Sequence, residues 1–268
     1  MEDLKLGILS VFRTVDGECN IWGPGHWSVF IRTRGCSVGC VWCDTKYSWG
    51  TKGGLDADPK ALFDVVREVG NGIRKVTITG GEPLEQDWNA LYSFINLLVQ
   101  DKYNITVETA GTQNTIRFRR GFALAYPETT LSLGQLSFIV DFKLGSSQYK
   151  GTMDDYHFKQ LPRGDIVKFV IDSNVDFVEA KFIAMWLDEQ KTFHAQMFFS
   201  PSHGKMTPKH LFNLLQDSGL PEIGVGLNLQ MQKYIFPVDS RDEEDGGLDF
   251  TKRGLGRKEF LKQAHDKK

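Results

Sequence analysis

The chain has 268 residues, 41% of them hydrophobic and 25% charged, with a formal net charge of -2. That length can bury one substantial core, so a single barrel-like domain is expected. The near-neutral balance gives no electrostatic reason for tight binding to nucleic acid or an anionic membrane, and no apolar run approaches the ~20 residues that cross a bilayer. The opening stretch MEDLKLGILSVFRTVDGE lacks a basic region followed by an apolar one, which predicts a cytoplasmic protein.

Short β-rich runs alternate with amphipathic helical stretches, the pattern of repeated βα units around a mostly parallel sheet. Residues 28–33 (SVFIRT) form the first clear strand and run straight into a cysteine-bearing loop. Asp58 then reads as a helix N-cap before Pro59, with Leu62, Val65, Val66 and Val69 at helical spacing and Gly70 as the stop. Residues 75–79 (KVTIT) predict the next strand, followed by Gly80-Gly81-Glu82-Pro83 and a helix whose Leu91, Phe94, Ile95 and Leu98 share a face. Further strands are expected at 105–108, 137–140, 166–171, 196–200 and 225–229, with helices at 177–187 and from Thr207-Pro208 up to Gly219. Residues 238–268 are charged and Gly-rich, first acidic and then basic; they read as an appended tail, solvated and partly disordered, with a short helix near Phe260 and Leu261.

Only four cysteines occur, and Cys36, Cys40 and Cys43 crowd into eight positions, which suits a metal site in a reducing compartment better than a disulfide framework. Cys19 stands apart and reads as an inert packed thiol. Structural zinc takes four protein ligands, whereas three thiolates on a 4Fe-4S cluster leave one iron open to an exogenous ligand. Cys-x3-Cys-x2-Cys after a first strand, with Trp42 before the last cysteine and Gly80-Gly81-Glu82 closing the second strand, resembles the radical S-adenosylmethionine superfamily. The resemblance implies an incomplete (β/α) barrel of α/β class over residues 1–237, a 4Fe-4S cluster on the three cysteines, and S-adenosylmethionine chelated at the open iron. It also implies that the GGE stretch meets the amino group of the adenosylmethionine through backbone carbonyls and the Glu82 side chain.

A narrower resemblance is carried by Phe12-Arg-Thr-Val-Asp-Gly-Glu18, Phe30-Ile-Arg32, Gly35-Cys36, Trp42-Cys43-Asp44-Thr45-Lys46, Glu108-Thr109-Ala-Gly111-Thr112, Asp141-Phe-Lys143 and Leu229-Gln230-Met-Gln-Lys233-Tyr234. Over about residues 4–237 these look like 7-carboxy-7-deazaguanine synthases. That family resemblance implies radical ring contraction of 6-carboxy-5,6,7,8-tetrahydropterin to 7-carboxy-7-deazaguanine with loss of ammonia, on the way to deazapurines and queuosine. It implies Mg2+ near Thr45, an electron donor such as flavodoxin, and a homodimer. Trp42, Cys43, Asp44, Gly80, Gly81, Glu82, Glu108, Asp141, Phe142, Lys143 and Ser200 fall on adenosylmethionine positions. Val15, Asp16, Gly17, Glu18, Arg32, Thr79 and Gln230 fall on substrate positions.

Chemistry supports two of these: Arg32 can grip a carboxylate with two N–H groups, and Glu18 can accept from pterin N–H groups. Two departures stand out. Asp16 sits where the synthases commonly carry Gln and adds a negative charge near an anionic substrate, and Gln232 stands where several relatives have His. The enzymatic rival is an activase that installs a glycyl radical on a protein partner. A rival from another class is a zinc-stabilised interaction protein.

Overall fold

The computed structural model describes residues 4–236 and 248–249. In chain order it contains β1 (Leu6–Asp16), β2 (His26–Thr33), β3 (Leu55–Ala57), α1 (Pro59–Gly70), β4 (Lys75–Gly80), α2 (Trp88–Gln100), β5 (Asn104–Thr109), α3 (Thr115–Ala125) and β6 (Leu136–Phe142). There follow α4 (Asp155–Phe158), β7 (Ile166–Ile171), α5 (Asn174–Asp188), β8 (Gln196–Pro201), α6 (Pro208–Gln216), β9 (Gly226–Leu227), α7 (Gln232–Ile235) and β10 (Leu248–Asp249). Strands β2, β4, β5, β6, β7, β8 and β9 pair in that order and run parallel, while β1 lies antiparallel beside β2.

Alternation along these strands decides where the site forms, because successive side chains leave opposite faces of the sheet. Val29, Ile31, Val76, Ile78, Ile105 and Val107 go to the outer face and join one core with helix residues such as Leu62, Val66, Leu91 and Ile95. The intervening residues Ser28, Thr77, Thr79, Thr106, Glu108, Ser137, Asp141 and Lys168 bond to one another or to the turn after β1, so a polar row runs across the inner face. Parallel strands covered on both sides thus read as apolar runs broken by single buried polar residues.

The helices form where their ends are marked. Asp58 caps α1 by accepting from the backbone N–H of Lys60 and Ala61, and Pro59 opens the helix. Its stop is shifted by one from the expected Gly70: Asn71 takes the left-handed conformation at φ 44° and ends the helix. Between α2, α3 and β6, the rings of Trp88, Tyr92 and Phe138 pack around Phe118 at centroid distances of 5.3, 4.8 and 5.8 Å respectively. Edge-on and tilted contacts of this kind add to the burial of ring area.

The expected fold class is the observed one, and residues 166–171 form β7 with the expected bounds. Of the elements not anticipated, two are long. β1 is missed because Leu6, Ile8, Leu9, Val11 and Phe12 are all buried, so the strand shows no polar alternation. α3 is missed because it is Arg-rich, buries Thr115, Phe118 and Phe122 only, and carries Gly121, where the Tyr92 hydroxyl takes the space of a side chain. The strand expected at 225–229 shortens to β9, and Gln230 therefore lies in a turn rather than at a strand end. In the expected tail, β10 pairs with Ser10 and Val11 of β1; the remainder, including Phe260 and Leu261, lies outside the described residues.

Among the described residues the sheet does not close by strand pairing. The gap between β9 and β1 is spanned instead by loops: Asn228 Oδ1 accepts from the Cys19 N–H at 2.8 Å, and the Gly17 carbonyl accepts from the Met231 N–H at 3.0 Å. Truncating the aromatic hub with Phe118→Ala is expected to lower stability by about 3–5 kcal/mol in urea unfolding, since it empties a fully buried ring site shared by α2, α3 and β6.

Candidate active site

β2 delivers the chain into a loop that carries the three cysteines. This loop is pinned by backbone bonds from Gly35 N–H to Ser48 O (2.8 Å), from Cys36 N–H to Trp49 O (3.2 Å) and from Cys43 N–H to Cys40 O (3.0 Å). Cys40 is buried, and Cys36 and Cys43 are half-buried. Burial pushes the Cys36 thiol up to about 12, against the bond to the Val38 backbone, and the nearby Glu82 and Glu85 charges add to the rise. Burial also raises Cys40, while the Lys143 ammonium beside it pulls the other way.

Next to the cysteine loop stands the turn after β4. Its glycines have a packing reason different from the ligand approach read from the sequence: Gly80 sits at φ +108° with Arg32 Cα and the Thr33 N 2.7 and 2.6 Å from where a Cβ would be, and a Cβ on Gly81 would strike the Gly35 carbonyl. Glu82 N–H donates to Gly35 O at 2.7 Å, so the two loops are stapled backbone to backbone. The Glu82 carboxylate is fully buried and accepts from Leu84 N–H (2.9 Å), the Thr109 hydroxyl (2.7 Å) and Ala110 N–H (2.5 Å). Burial raises it to about 7 despite those three bonds. The side chain expected to meet a ligand ammonium is thus engaged in tying the ends of β4 and β5 together.

Behind the loops, the inner face holds a chain of buried charges. Lys168 Nζ lies 2.7 Å from Glu18 Oε2 and 3.2 Å from Asp141 Oδ1, and Lys143 Nζ lies 2.9 Å from Asp141 Oδ2. Burial alone would lower the Lys168 ammonium, but Asp141, Glu18 and Glu108 together raise it well above the ordinary lysine value. Burial would raise Asp141, and Lys143 with Lys168 brings it below its ordinary value instead. Glu108 accepts from the Thr79 hydroxyl at 2.8 Å and is pushed up to about 8 by burial and by the Glu18 charge.

The remaining expected residues divide. Glu18 Oε1 also accepts from Gln230 Nε2 (2.9 Å) and Gln232 Nε2 (3.1 Å), and Lys233 Nζ pairs with Asp44 Oδ2 at 2.8 Å, so the C-terminal turn straps the turn after β1 to the cysteine loop. Partial burial would raise Asp44, but Lys233, then Arg32 and Lys168, hold it below its ordinary value. Arg32 stands over the Phe12 ring at 5.4 Å. The Thr45 hydroxyl points at the Gly80 carbonyl (3.3 Å) and the Cys43 sulfur (3.4 Å), and Ser200 accepts from Asn228 Nδ2 at 3.1 Å. Trp42 is half-buried in the cysteine loop, and Val15 and Gly17 flank Asp16 at the end of β1. The Phe142 ring packs on Phe158 and Phe169 at 4.8 and 5.5 Å on the outer, helix-covered face, which leaves its backbone to the inner side between Asp141 and Lys143. The Asp16 charge is paired: Oδ2 lies 2.6 Å from Lys75 Nζ. Cys19 is buried against Ile139 and Ile166, the packed thiol expected.

Sequence reading missed Lys168, Lys75 and Lys233. The signal existed for the first two: each is a lysine at a polar-face position of a short strand otherwise made of apolar and Thr residues, where a buried ammonium needs a partner.

Among the described residues, no three His, Cys, Asp or Glu side chains are gathered tightly enough for a single ion. Three thiols in one loop, with the Lys143 ammonium beside the most buried of them, instead match the donors that an anionic iron-sulfur cluster needs on three of its irons.

The profile of the Radical SAM superfamily matches residues 30–131. The 7-carboxy-7-deazaguanine synthase of Clostridium acetobutylicum is 30% identical over 241 residues, covering 87% of this chain and 97% of its own. The chain belongs to the 7-carboxy-7-deazaguanine synthase family. A second synthase of this family, from Koribacter versatilis, is 28% identical, with 87% and 98% covered. The crystal structure of QueE from Escherichia coli shares the fold at a TM-score of 0.60 and 22% identity, covering 84% of this chain and 94% of that one. Placed on the synthase family, the mouth formed by the cysteine loop, the turn after β4 and the strap lies at the C-terminal ends of the parallel strands, where barrels of this kind carry their chemistry.

Glu108 gives the site a pH signature. Its folded value of about 8 lies above the ordinary 4.5, so the folded chain holds this proton more tightly than the unfolded one. Its contribution to stability is therefore complete at low pH and falls as pH rises from about 4.5 to about 8. Glu108→Gln is expected to flatten that decline in thermal unfolding measured across the interval; an unchanged slope would contradict the assignment.

Proposed function

We propose that this chain converts 6-carboxy-5,6,7,8-tetrahydropterin to 7-carboxy-7-deazaguanine with loss of ammonia by radical chemistry. The observation that carries the reading is the cysteine loop, stapled to the turn after β4 and facing a charged inner pocket, in a chain 30% identical to a synthase across 97% of that relative.

Cys36, Cys40 and Cys43 would hold three irons of a 4Fe-4S cluster, which supplies the electron that cleaves S-adenosylmethionine to a 5'-deoxyadenosyl radical. The Lys143 ammonium offsets negative charge at Cys40. Trp42, Asp44, the backbone of Gly80, Gly81 and Phe142, Asp141, Lys143 and Ser200 line the adenosylmethionine side. Glu82 acts on that side by holding its loop.

On the substrate side, Arg32 grips the carboxylate with paired N–H groups and Glu18 accepts from pterin N–H groups. Lys168, Gln230 and Gln232 fix the direction in which Glu18 points. Val15, Asp16 and Gly17 form the floor, with Thr79 beside them. Glu108, raised to about 8 by burial and the Glu18 charge, accepts from the Thr79 hydroxyl and is the group on this side best placed to hold a proton near neutral pH. The Thr45 hydroxyl and the Gly80 carbonyl are hard oxygen donors of the type that Mg2+ selects, and the ion would orient the substrate carboxylate. An external one-electron donor such as a flavodoxin completes the system, in the reducing cytoplasm, with the enzyme as a homodimer. Residues 1–237 would form the catalytic domain, and Leu248 and Asp249 of the charged 238–268 segment pair with its β1. No helix among the described residues is long and apolar enough to cross a membrane.

Anaerobic incubation of reconstituted protein with carboxytetrahydropterin, adenosylmethionine, Mg2+ and reductant is expected to yield 7-carboxy-7-deazaguanine and ammonia by mass spectrometry. Cys40→Ala is expected to abolish iron loading and deoxyadenosine release together, because two thiolates do not retain the cluster. Deoxyadenosine release at the parent rate by that variant would overturn the ligand assignment.

A further inference from the structure

Three residues on the inner face of β4, Lys75, Thr77 and Thr79, each reach a carboxylate or its support. Thr79 holds Glu108, and Lys75 and Thr77 both hold Asp16 Oδ2, at 2.6 and 3.1 Å. Thr77 is itself bonded to Ser28 at 2.9 Å. The Lys75 and Asp16 side chains are 8% and 1% exposed, so this is a dry ion pair. The second oxygen, Oδ1, is buried without a hydrogen-bond partner among the described residues, which leaves Lys75 as the one cation bonded to this carboxylate. Asp16 is the last residue of β1; its carbonyl accepts from Gly25 N–H at 2.8 Å, and the Gly17 carbonyl that follows receives the Met231 N–H of the strap.

We propose that Lys75 is a positioning residue for the substrate pocket, cancelling the charge of Asp16 and anchoring the turn at residues 15–18, so that an anionic substrate meets a neutral, rigid floor. The inference rests on the reading of the substrate as a carboxylated pterin. Without Lys75, the Asp16 carboxylate is a buried, uncompensated negative charge on the same inner face as Glu18 and Glu108. It then either repels the substrate carboxylate or drags the turn toward water. In both cases substrate binding weakens before the chemistry does, because Lys75 touches neither the cysteine loop nor the turn after β4.

The test is a double-mutant cycle on the reconstituted full chain: parent, Lys75→Met, Asp16→Asn, and the pair together, with Lys75→Arg as the conservative replacement. Iron content and substrate-free deoxyadenosine release report the cluster separately. Lys75→Met is expected to raise KM for carboxytetrahydropterin about tenfold or more with a smaller change in kcat, the pair to recover most of that loss, and Lys75→Arg to stay near the parent. A KM for Lys75→Met within about twofold of the parent, or a pair no better than Lys75→Met, would overturn the proposal. Should Lys75→Met fail to fold, Asp16→Asn, which leaves an unpaired ammonium, is expected to bind more weakly than the pair, and equal KM values would overturn it. If the parent itself does not turn over the pterin, the reading of the reaction fails, and coupling between the two sites in thermal unfolding still decides the pairing.

Discussion

The buried ammonium of Lys168 is the interaction on which the pocket depends. A lysine in the middle of an otherwise apolar strand cannot stay charged unless carboxylates come to it, and here two do, from the turn after β1 and from the end of β6. Asp141 passes the constraint to Lys143, which stands beside Cys40. One row of ion pairs thereby runs from the substrate side of the mouth to the cysteine loop and fixes both against the same two strands.

A second constraint comes from the incomplete sheet. Because β9 and β1 do not pair, the residues after β9 close the gap with side chains and single backbone bonds, through Asn228, Gln230, Met231, Gln232 and Lys233. A closure of this kind leaves room for a ligand where strand pairing would not. It also places the strap across the mouth, bonded at one end to Glu18 and at the other to Asp44. Such a pocket suits a small polar metabolite, in keeping with relatives that are synthases. The activase reading, which requires room for a protein segment, gains nothing from it.

Much of this was legible in the sequence. The cysteine spacing, the GGE turn and the alternation of strands and helices fixed the fold class and the loops that form the mouth. Capping residues gave α1 to within one residue, because Asp58 and Pro59 act locally. What stayed hidden depends on contacts distant in sequence. Glu18 and Lys168 are 150 residues apart, and Glu18 and Gln232 are 214 apart, so no local pattern announces them. Glu82 and Phe142 carry a second role that motif position does not announce: the Glu82 carboxylate ties two strand ends together, and the Phe142 ring turns into the outer core. The charge that Asp16 adds is met by Lys75, 59 residues away in sequence and across the floor.

The central claim, that the Lys168 ion pairs organise the pocket without themselves building the cluster site, is tested most directly by product formation in Lys168→Met protein, assayed anaerobically with iron content measured on the same samples. The account predicts iron loading like the parent and a fall in 7-carboxy-7-deazaguanine formation of about a hundredfold or more, as displaced Glu18 and Asp141 no longer hold the reactants in register. An iron-loaded variant that forms product at the parent rate would contradict it.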